Sequence, residues 1–513
     1  MTAVDNKRIA KNTLMLYFRM FVVMGISLAT AGVTLRVLGS VDYGINAVLG
    51  GIVAMFSFLN GSLSGAASRF ITFELGRGDK ARLNHVFNAS LAIHLALGIL
   101  IVLLSETIGL WFFYNKMIIP AERMSAAFWV LQLSILTVPL SLTQVPYGAV
   151  IIAHENMKIF AYVSIADAVV RLLNIYLLLV SPFDKLITLA VLGTSWSVAT
   201  MIFYRVYCRR LYDETRLKLC VDWKMYGEMF RYAGCDLIGC TSVLLQGQAV
   251  NMLLNTFFGP VVNAARGIAY SVQGQATQFS GNFMTAVRPQ IIKSYAVGDT
   301  DGMWRLVKRS GCYSYYLIWI LALPFLLEAD YVLKLWLGSY PEHTVSFFRL
   351  IIVACLIQSL KTPRTIVFHA MGKLFVSNIV TGTILCMSFP IAYVFLRLGC
   401  EPESVFHATN IVMALSEVSG LIVLKMYYNY SVRDYIVTVY LRCIAVTVIS
   451  ALIAYFAYSV FSPSFLRVLW TGMLTTLSVG LSALYIGVDK ADRLKLFNIA
   501  KNKYNALINW HHG

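Results

Sequence analysis

Charge is what this chain has least of: Asp, Glu, Lys and Arg together make up 13% of its 513 residues, about half the share of an ordinary soluble domain. Acid is scarcer than base, 25 residues against 42, which leaves a net charge of +17. Metal and nucleotide signatures are missing as well. The eight histidines, His94 among them, never fall at ligand spacing with Cys or a carboxylate, and there is neither a phosphate-cradling P-loop nor a GxSxG elbow. An ATP-driven pump and a metal centre are therefore not expected. Of the nine cysteines only Cys400 falls at an outer loop, so no disulfide framework can form. The polar start, Met1 to Lys11, leads into an apolar run that is too long for a signal peptide and lacks a small-residue cleavage site.

What the chain has is apolar length. It is 58% hydrophobic with a mean hydropathy of +0.70, and runs of about 20 apolar residues, the length a helix needs to cross the hydrocarbon core, recur from end to end. The runs are continuous rather than alternating, which excludes a transmembrane β-barrel. They predict fourteen membrane helices, at 12–38, 45–67, 87–113, 124–152, 160–180, 187–207, 229–258, 262–287, 308–330, 346–370, 375–397, 405–427, 437–461 and 467–488. With the N-terminus inside, the inner ends and loops hold 30 of the 42 basic residues and the outer ones 9, while Arg19, Arg171 and Arg442 lie within spans. Cytoplasmic loops collect Lys and Arg, so both termini are expected in the cytoplasm. The excess base then faces anionic headgroups, and no nucleic acid is expected even at the Arg209-Arg210 loop.

The longest soluble connection separates the sixth span from the seventh, and the chain is repeated about it. Residues 39–79 align with 259–299 without a gap. Gly39 falls on Gly259, Val41 on Val261, Gly61 on Gly281, Ala66 on Ala286, Ile71 on Ile291, and Gly78-Asp79 on Gly298-Asp299. Most of these are glycines or the acid beside one, positions set by backbone geometry rather than hydropathy. An even number of spans per copy predicts parallel repeats related by an axis along the membrane normal. The expected organisation is an N-terminal six-helix bundle (1–210), a cytoplasmic linker (211–228), a C-terminal six-helix bundle (229–430), and two extra helices with a tail (431–513).

The stretches Gly44-Ile45-Asn46, Phe56 to Gly61, Ser68-Arg69-Phe70 and Gly78-Asp79 resemble the first half of prokaryotic polysaccharide flippases, and Asn263 to Ala269 with Arg288 to Ile291 resemble the second. These O-antigen and capsule translocases are of the Wzx type. They share the MOP superfamily with the multidrug and toxin extrusion (MATE) proteins and the lipid II flippase. The resemblance, over roughly residues 5–430, implies an all-α integral membrane protein with two six-helix bundles around a central cavity that opens alternately to either side. It implies a cargo of lipid-linked oligosaccharide moved from the inner to the outer leaflet of the bacterial cytoplasmic membrane. Membrane lipids are implied as further partners, and the resemblance admits a polysaccharide polymerase and glycosyltransferases. No cofactor is expected beyond a coupling H+ or Na+. Fourteen spans tilt toward lipid-linked cargo, since the drug exporters usually stop at twelve; a cation-coupled drug exporter is the alternative. A membrane glycosyltransferase or ligase is a weaker one, for want of a long acidic outer loop.

Such a cargo carries an anionic pyrophosphate and a polar sugar, which need a wet, cationic path. Intramembrane charges are costly and face cavities or partners, so the candidates are ranked by depth. Arg171 near the middle of span five is the deepest, with Asp167 one turn before it; they either neutralise each other as an i,i+4 pair or contact cargo. Arg19 and Arg364 lie closer to the inner ends and either snorkel or face the cavity, the relatives that flip lipid II having arginines in the first span. Arg36 and Arg266 sit near outer ends, while Arg69 and Arg288 mark the inner exits of spans two and eight. Gln248, Asn251 and Asn255 on span seven and Gln275, Gln278 and Asn282 on span eight share the spacing i, i+3, i+7, which makes two stripes. They form helix-to-helix bonds or a hydrated wall for sugar hydroxyls. Asp236 and Glu417 are the candidates for binding a coupling ion. Pro139, Pro146, Pro324, Pro363 and Pro390 favour kinks.

Overall fold

Helices account for every regular element of the computed structural model, which describes residues 6–54, 57–116, 119–218, 222–337, 340–428, 430–460, 464–489 and 493–494. In chain order these are α1 (Asn6–Ala54), α2 (Ser57–Arg77), α3 (Lys80–Leu104), α4 (Leu110–Lys116), α5 (Met124–Ala153), α6 (Met157–Val180), α7 (Lys185–Leu211) and α8 (Trp223–Ala296). They continue with α9 (Thr300–Leu327), α10 (Ala329–Leu337), α11 (Thr344–Met371), α12 (Leu374–Cys386), α13 (Ser388–Arg397), α14 (Glu403–Tyr428), α15 (Val432–Tyr435), α16 (Leu441–Val460) and α17 (Phe465–Ser482). No strand occurs among the described residues.

Twelve described helices are long and apolar enough to cross a membrane. Two of the fourteen predicted spans lie outside that set. For the second, 45–67, most side chains are outside the described ones. The eighth, 262–287, is helical as part of α8, but its glutamines and glycines leave it too polar to meet the same measure. The outward faces are apolar: Leu173, Leu177 and Val180 on α6, and Ile444, Val448 and Leu452 on α16, are all exposed. Patches of that extent are not tolerated in water, and the chain is a multi-pass membrane protein.

The repeat has a backbone signature. Gly39 bends α1 with φ 77° and ψ 171°, and Gly259 bends α8 with φ 79° and ψ −170°, a region essentially closed to any residue with a Cβ. Further on in each copy, at the same offset, Gly78 and Gly298 both take positive φ at helix ends. Asp79 then accepts the amide of Arg82 at 3.0 Å and Asp299 that of Gly302 at 2.9 Å, so each starts the next helix. A second correspondence lies at the exits of α5 and α11. There Glu155 (φ 60°) and Gly372 (φ 71°) occupy matching left-handed positions, followed at two residues by the first residues of α6 and α12.

Two compact units result. The first comprises Met1–Cys240, Thr285–Met303 and His369–Phe375; the second comprises Thr241–Met284, Trp304–Phe368 and Val376–Gly513. In the first, α5 packs against α2, α3 and α7, and α1 lies along α6. Its core clusters include one with Ile45, Leu49, Leu131 and Ile135 around Phe113, and another of Leu16, Met157 and Ala286. In the second, α13 pairs with α14 and α16 with α17. Pro139, Pro146, Pro324 and Pro363 sit inside unbroken α5, α9 and α11, whereas the eleventh span divides at Met387, three residues before Pro390.

Candidate functional site: polar walls on the two units

In the first unit the wall is built on α6, where Ser164, Asp167 and Arg171 recur at i, i+3 and i+7 and so share a face. Arg171 Nη2 meets Asp167 Oδ2 at 3.0 Å, so the predicted ion pair forms, yet the Arg171 side chain keeps 70% of its surface open. From α7, Trp196 Nε1 donates to Asp167 Oδ1 at 3.0 Å and fixes that carboxylate from the other side. From α1, Arg19 donates through Nη1 to Ser164 Oγ at 3.3 Å and lies over the Phe160 ring at 4.9 Å. Tyr204 of α7 stands in the field of both Arg19 and Asp167. The result is a wall with two guanidinium groups and one carboxylate, the carboxylate already bonded. The Arg36 side chain lies outside the described residues.

A second group in the same unit gathers at the exits of α2 and α11. Arg69 donates to the carbonyls of His369 at 3.2 Å and Ala370 at 3.1 Å while lying over Phe70 and Phe73. Tyr232 Oη is 2.6 Å from His369 Nδ1, and His369 Nε2 is 3.9 Å from Asp236 Oδ1. Arg288 stands beside Tyr232, Asp236 and His369, with its Nε and Nη2 buried and without a hydrogen bond. Asp236, expected as an isolated acid, thus has a histidine and an arginine for neighbours. Opposite in chemistry, buried Glu155 receives Lys293 at 2.7 Å, Arg8 at 3.2 Å and Gln290 at 3.2 Å.

In the second unit the wall centres on Arg266. Its Nη1 donates to Asn251 Oδ1 at 3.1 Å, its Nη2 to the Gly247 carbonyl at 2.8 Å, and its guanidinium stacks 4.0 Å from the Tyr270 ring centroid. Gln248, Asn255, Gln275 and Gln278 are exposed. Asn282 departs from the expected stripe: the helix turns it inward, and it is buried.

Arg364 and Glu417 depart further. Arg364 Nη2 meets Glu417 Oε1 at 3.1 Å, Nη1 donates to the Glu417 carbonyl at 3.0 Å, and Tyr440 Oη donates to Glu417 Oε2 at 3.0 Å. Both charged side chains are buried and take each other as partner, the structural alternative for both; depth within a span marks the charges but not their partner. A similar pair carries no mark in the sequence. Arg467 Nη2 bonds Glu328 Oε2 at 2.7 Å with Thr471 at 3.2 Å, fastening α17 to the end of α9. Ser164 could have been found from its spacing with Asp167 and Arg171, whereas nothing in the sequence singles out Trp196 or Tyr204.

Neither protein-family models nor curated proteins give a match to the sequence. Solved structures do. A crystal structure of a MATE protein in the straight conformation superposes with a TM-score of 0.69 at 15% identity, covering 82% of this chain and 95% of that one. An outward-facing MATE family multidrug resistance transporter of the MOP superfamily gives 0.70 at 15%, covering 82% and 95%. The fold is the MATE transporter fold. A MOP superfamily transporter from Pyrococcus furiosus, described by a binding pocket of reverse polarity that suggests a different function for it, gives 0.67 at 14%, covering 81% and 95%. These relatives are transporters rather than enzymes, and at such identities the likeness carries the fold alone.

Proposed function

We propose that the protein flips an undecaprenyl-pyrophosphate-linked oligosaccharide, an O-antigen, capsule or exopolysaccharide unit, from the inner to the outer leaflet of the bacterial cytoplasmic membrane. The observation that carries this reading is the polarity of the walls. On the first unit Arg19 and Arg171 keep cationic surface while Asp167 is held by Arg171 and Trp196. On the second, Arg266 bonds Asn251 on α8, the element that also exposes Gln248, Gln275 and Gln278. Guanidinium groups suit pyrophosphate, and amides suit sugar hydroxyls. A cationic drug needs an uncommitted acid, and Glu417, one of the two acids considered for that role, is consumed by Arg364 and Tyr440. Pocket polarity is also the property by which the Pyrococcus relative is set apart. Asp236, between His369 and Arg288, is the remaining place for a coupling H+.

In this reading both termini are cytoplasmic and fourteen helices cross, with a polymerase and glycosyltransferases as partners. The test is disruption of the gene in its own host. Lipid-linked repeat units should accumulate and surface polysaccharide should fall, both restored by the wild-type chain. Unchanged polysaccharide with lost resistance to cationic dyes would establish the drug-exporter alternative.

A further inference from the structure

Within the first compact unit the two copies of the repeat touch at equivalent positions. A Cβ added to Gly76, at the end of α2, would lie 3.0 Å from Ala296 Cβ and 3.1 Å from Lys293 Cα, at the end of α8. Positions 76 and 296 coincide in the gap-free alignment of 39–79 with 259–299, and contact between equivalent positions is what a twofold axis produces. We propose that the contacts around this axis are a latch, two reciprocal clasps that hold the inner side of the transport path shut until they release.

Each copy reaches into the other. From the first, Arg69 of α2 donates to the His369 carbonyl at 3.2 Å and the Ala370 carbonyl at 3.1 Å, in the last turn of α11, where carbonyls lack intrahelical partners and attract cations. It fits because residue 372 has no side chain: a Cβ on Gly372 would lie 3.2 Å from Arg69 Nη2. From the second copy, Lys293 and Gln290 of α8 reach Glu155, in the turn after α5, at 2.7 and 3.2 Å. Arg8 of α1 adds a third contact at 3.2 Å. The end of α2 thus grips the turn between α11 and α12, and the end of α8 grips the matching turn between α5 and α6. That reciprocity is the mark of an isologous contact.

Glu155 shows that its turn is more than a helix end. Its φ of 60° matches the 71° of Gly372 and lies where glycine is favoured, and the residue is only 6% exposed, which disfavours a carboxylate. Backbone and burial both argue for glycine there, as in the other copy. What the glutamate adds is a charge for Lys293 and Arg8 to hold, and strained residues persist where such a role requires them. About one turn deeper along α8, Ala286 of the second copy packs against Leu16 and Met157 of the first, an apolar seal behind the clasps. None of these residues belongs to the polar walls, so the latch stands whatever the cargo; only its side, the inner one, rests on the orientation in the proposed function.

The test uses the full-length chain carrying Ala286→Cys in membrane vesicles of either orientation. Reaction of the new thiol with a membrane-impermeant maleimide is followed by mass spectrometry of its own peptide, which keeps the native cysteines out of the measurement. Position 286 is fully buried, so the reaction should be slow while the latch is intact. Adding Glu155→Gly or Arg69→Gln should raise the rate about tenfold or more from the inner side by shifting the population toward the released state, and Lys293→Gln should act like Glu155→Gly. Glu155→Gly relieves the backbone strain, so a residue serving only the turn would leave the rate unchanged or lower it. Should Ala286→Cys fail to accumulate, amide hydrogen exchange over 150–157 in the otherwise wild-type chain reads the same event, because Arg69→Gln lies outside that turn and should still speed its exchange. Unchanged rates in Glu155→Gly and Arg69→Gln, an equal rise from both sides, or unchanged exchange over 150–157 in Arg69→Gln overturns the proposal. A rise confined to the outer side supports the latch and overturns instead the orientation on which the proposed function rests.

Discussion

At the scale of single residues, the protein distinguishes cations that are spent on structure from cations that keep surface for a ligand. Arg364 is spent: Arg364→Ala leaves Glu417 buried without its counter-ion, a change that typically costs about 3–5 kcal/mol. The thermal midpoint in detergent should fall accordingly, and Arg364→Met/Glu417→Gln should recover much of the loss. A normal midpoint in Arg364→Ala with transport abolished would instead make Arg364 a cargo contact. Arg19 is only half-buried, and removing a guanidinium that meets a buried anion costs about 2–5 kcal/mol, equivalent to roughly 30-fold to several thousand-fold in affinity. Arg19→Ala should therefore abolish polysaccharide export at an unchanged membrane level of the protein, and Arg19→Lys should retain part, as a point charge without the fork. Export at the wild-type level by Arg19→Ala would remove Arg19 from the path. The sequence displays these arginines by depth, but it cannot say which are neutralised. Arg364 and Glu417 are 53 positions apart, and their meeting is decided by how α11 and α14 pack.

At the scale of elements, the turns are more legible than the contacts. The two copies share glycines because the backbone demands them, and Gly259→Ala should cost about 1–3 kcal/mol, read as a lower thermal midpoint and poorer accumulation. An unchanged midpoint would mean that the bend is dispensable. The beginnings of α5 and α7 illustrate what is not legible. Arg123 reaches Asp42 at 2.8 Å and Asp184 at 2.5 Å, and Asp184 also caps α7 through the amides of Leu186 and Ile187. Burial alone would raise the Asp184 carboxyl, but the Arg123 guanidinium and those amides outweigh it and hold it below the usual carboxylate value. A depressed value means that the stabilisation is fully present above the ordinary carboxylate range and is lost as pH falls from about 4 through the depressed value. Asp184→Asn should lower stability at neutral pH and flatten the decline of the thermal midpoint on the acid side. Equal acid-side slopes for variant and wild type would contradict this account of the clasp.

At the scale of the whole molecule, composition and run length are sufficient for an all-helical, multi-pass protein, because hydrocarbon admits few ways to satisfy a backbone. The polar eighth span shows where that reasoning thins: its helix is set by continuity with the seventh across Gly259 rather than by apolar length. Orientation rests on the basic residues. A reporter active only outside the membrane should be silent after Gly513 and active between 462 and 464, and reversed signals would invert the topology. The central claim, that the cations of the polar walls serve an anionic lipid-linked cargo, is tested most directly by purified protein reconstituted into liposomes with an undecaprenyl-pyrophosphate-linked oligosaccharide. Its arrival in the opposite leaflet is then measured by accessibility of the sugar to an added, membrane-impermeant enzyme. The account predicts transfer by the wild type, none above protein-free liposomes by Arg19→Ala, and partial transfer by Arg19→Lys. Absence of transfer by the wild type, in vesicles where the same protein moves a cationic dye regardless of Arg19, would contradict it.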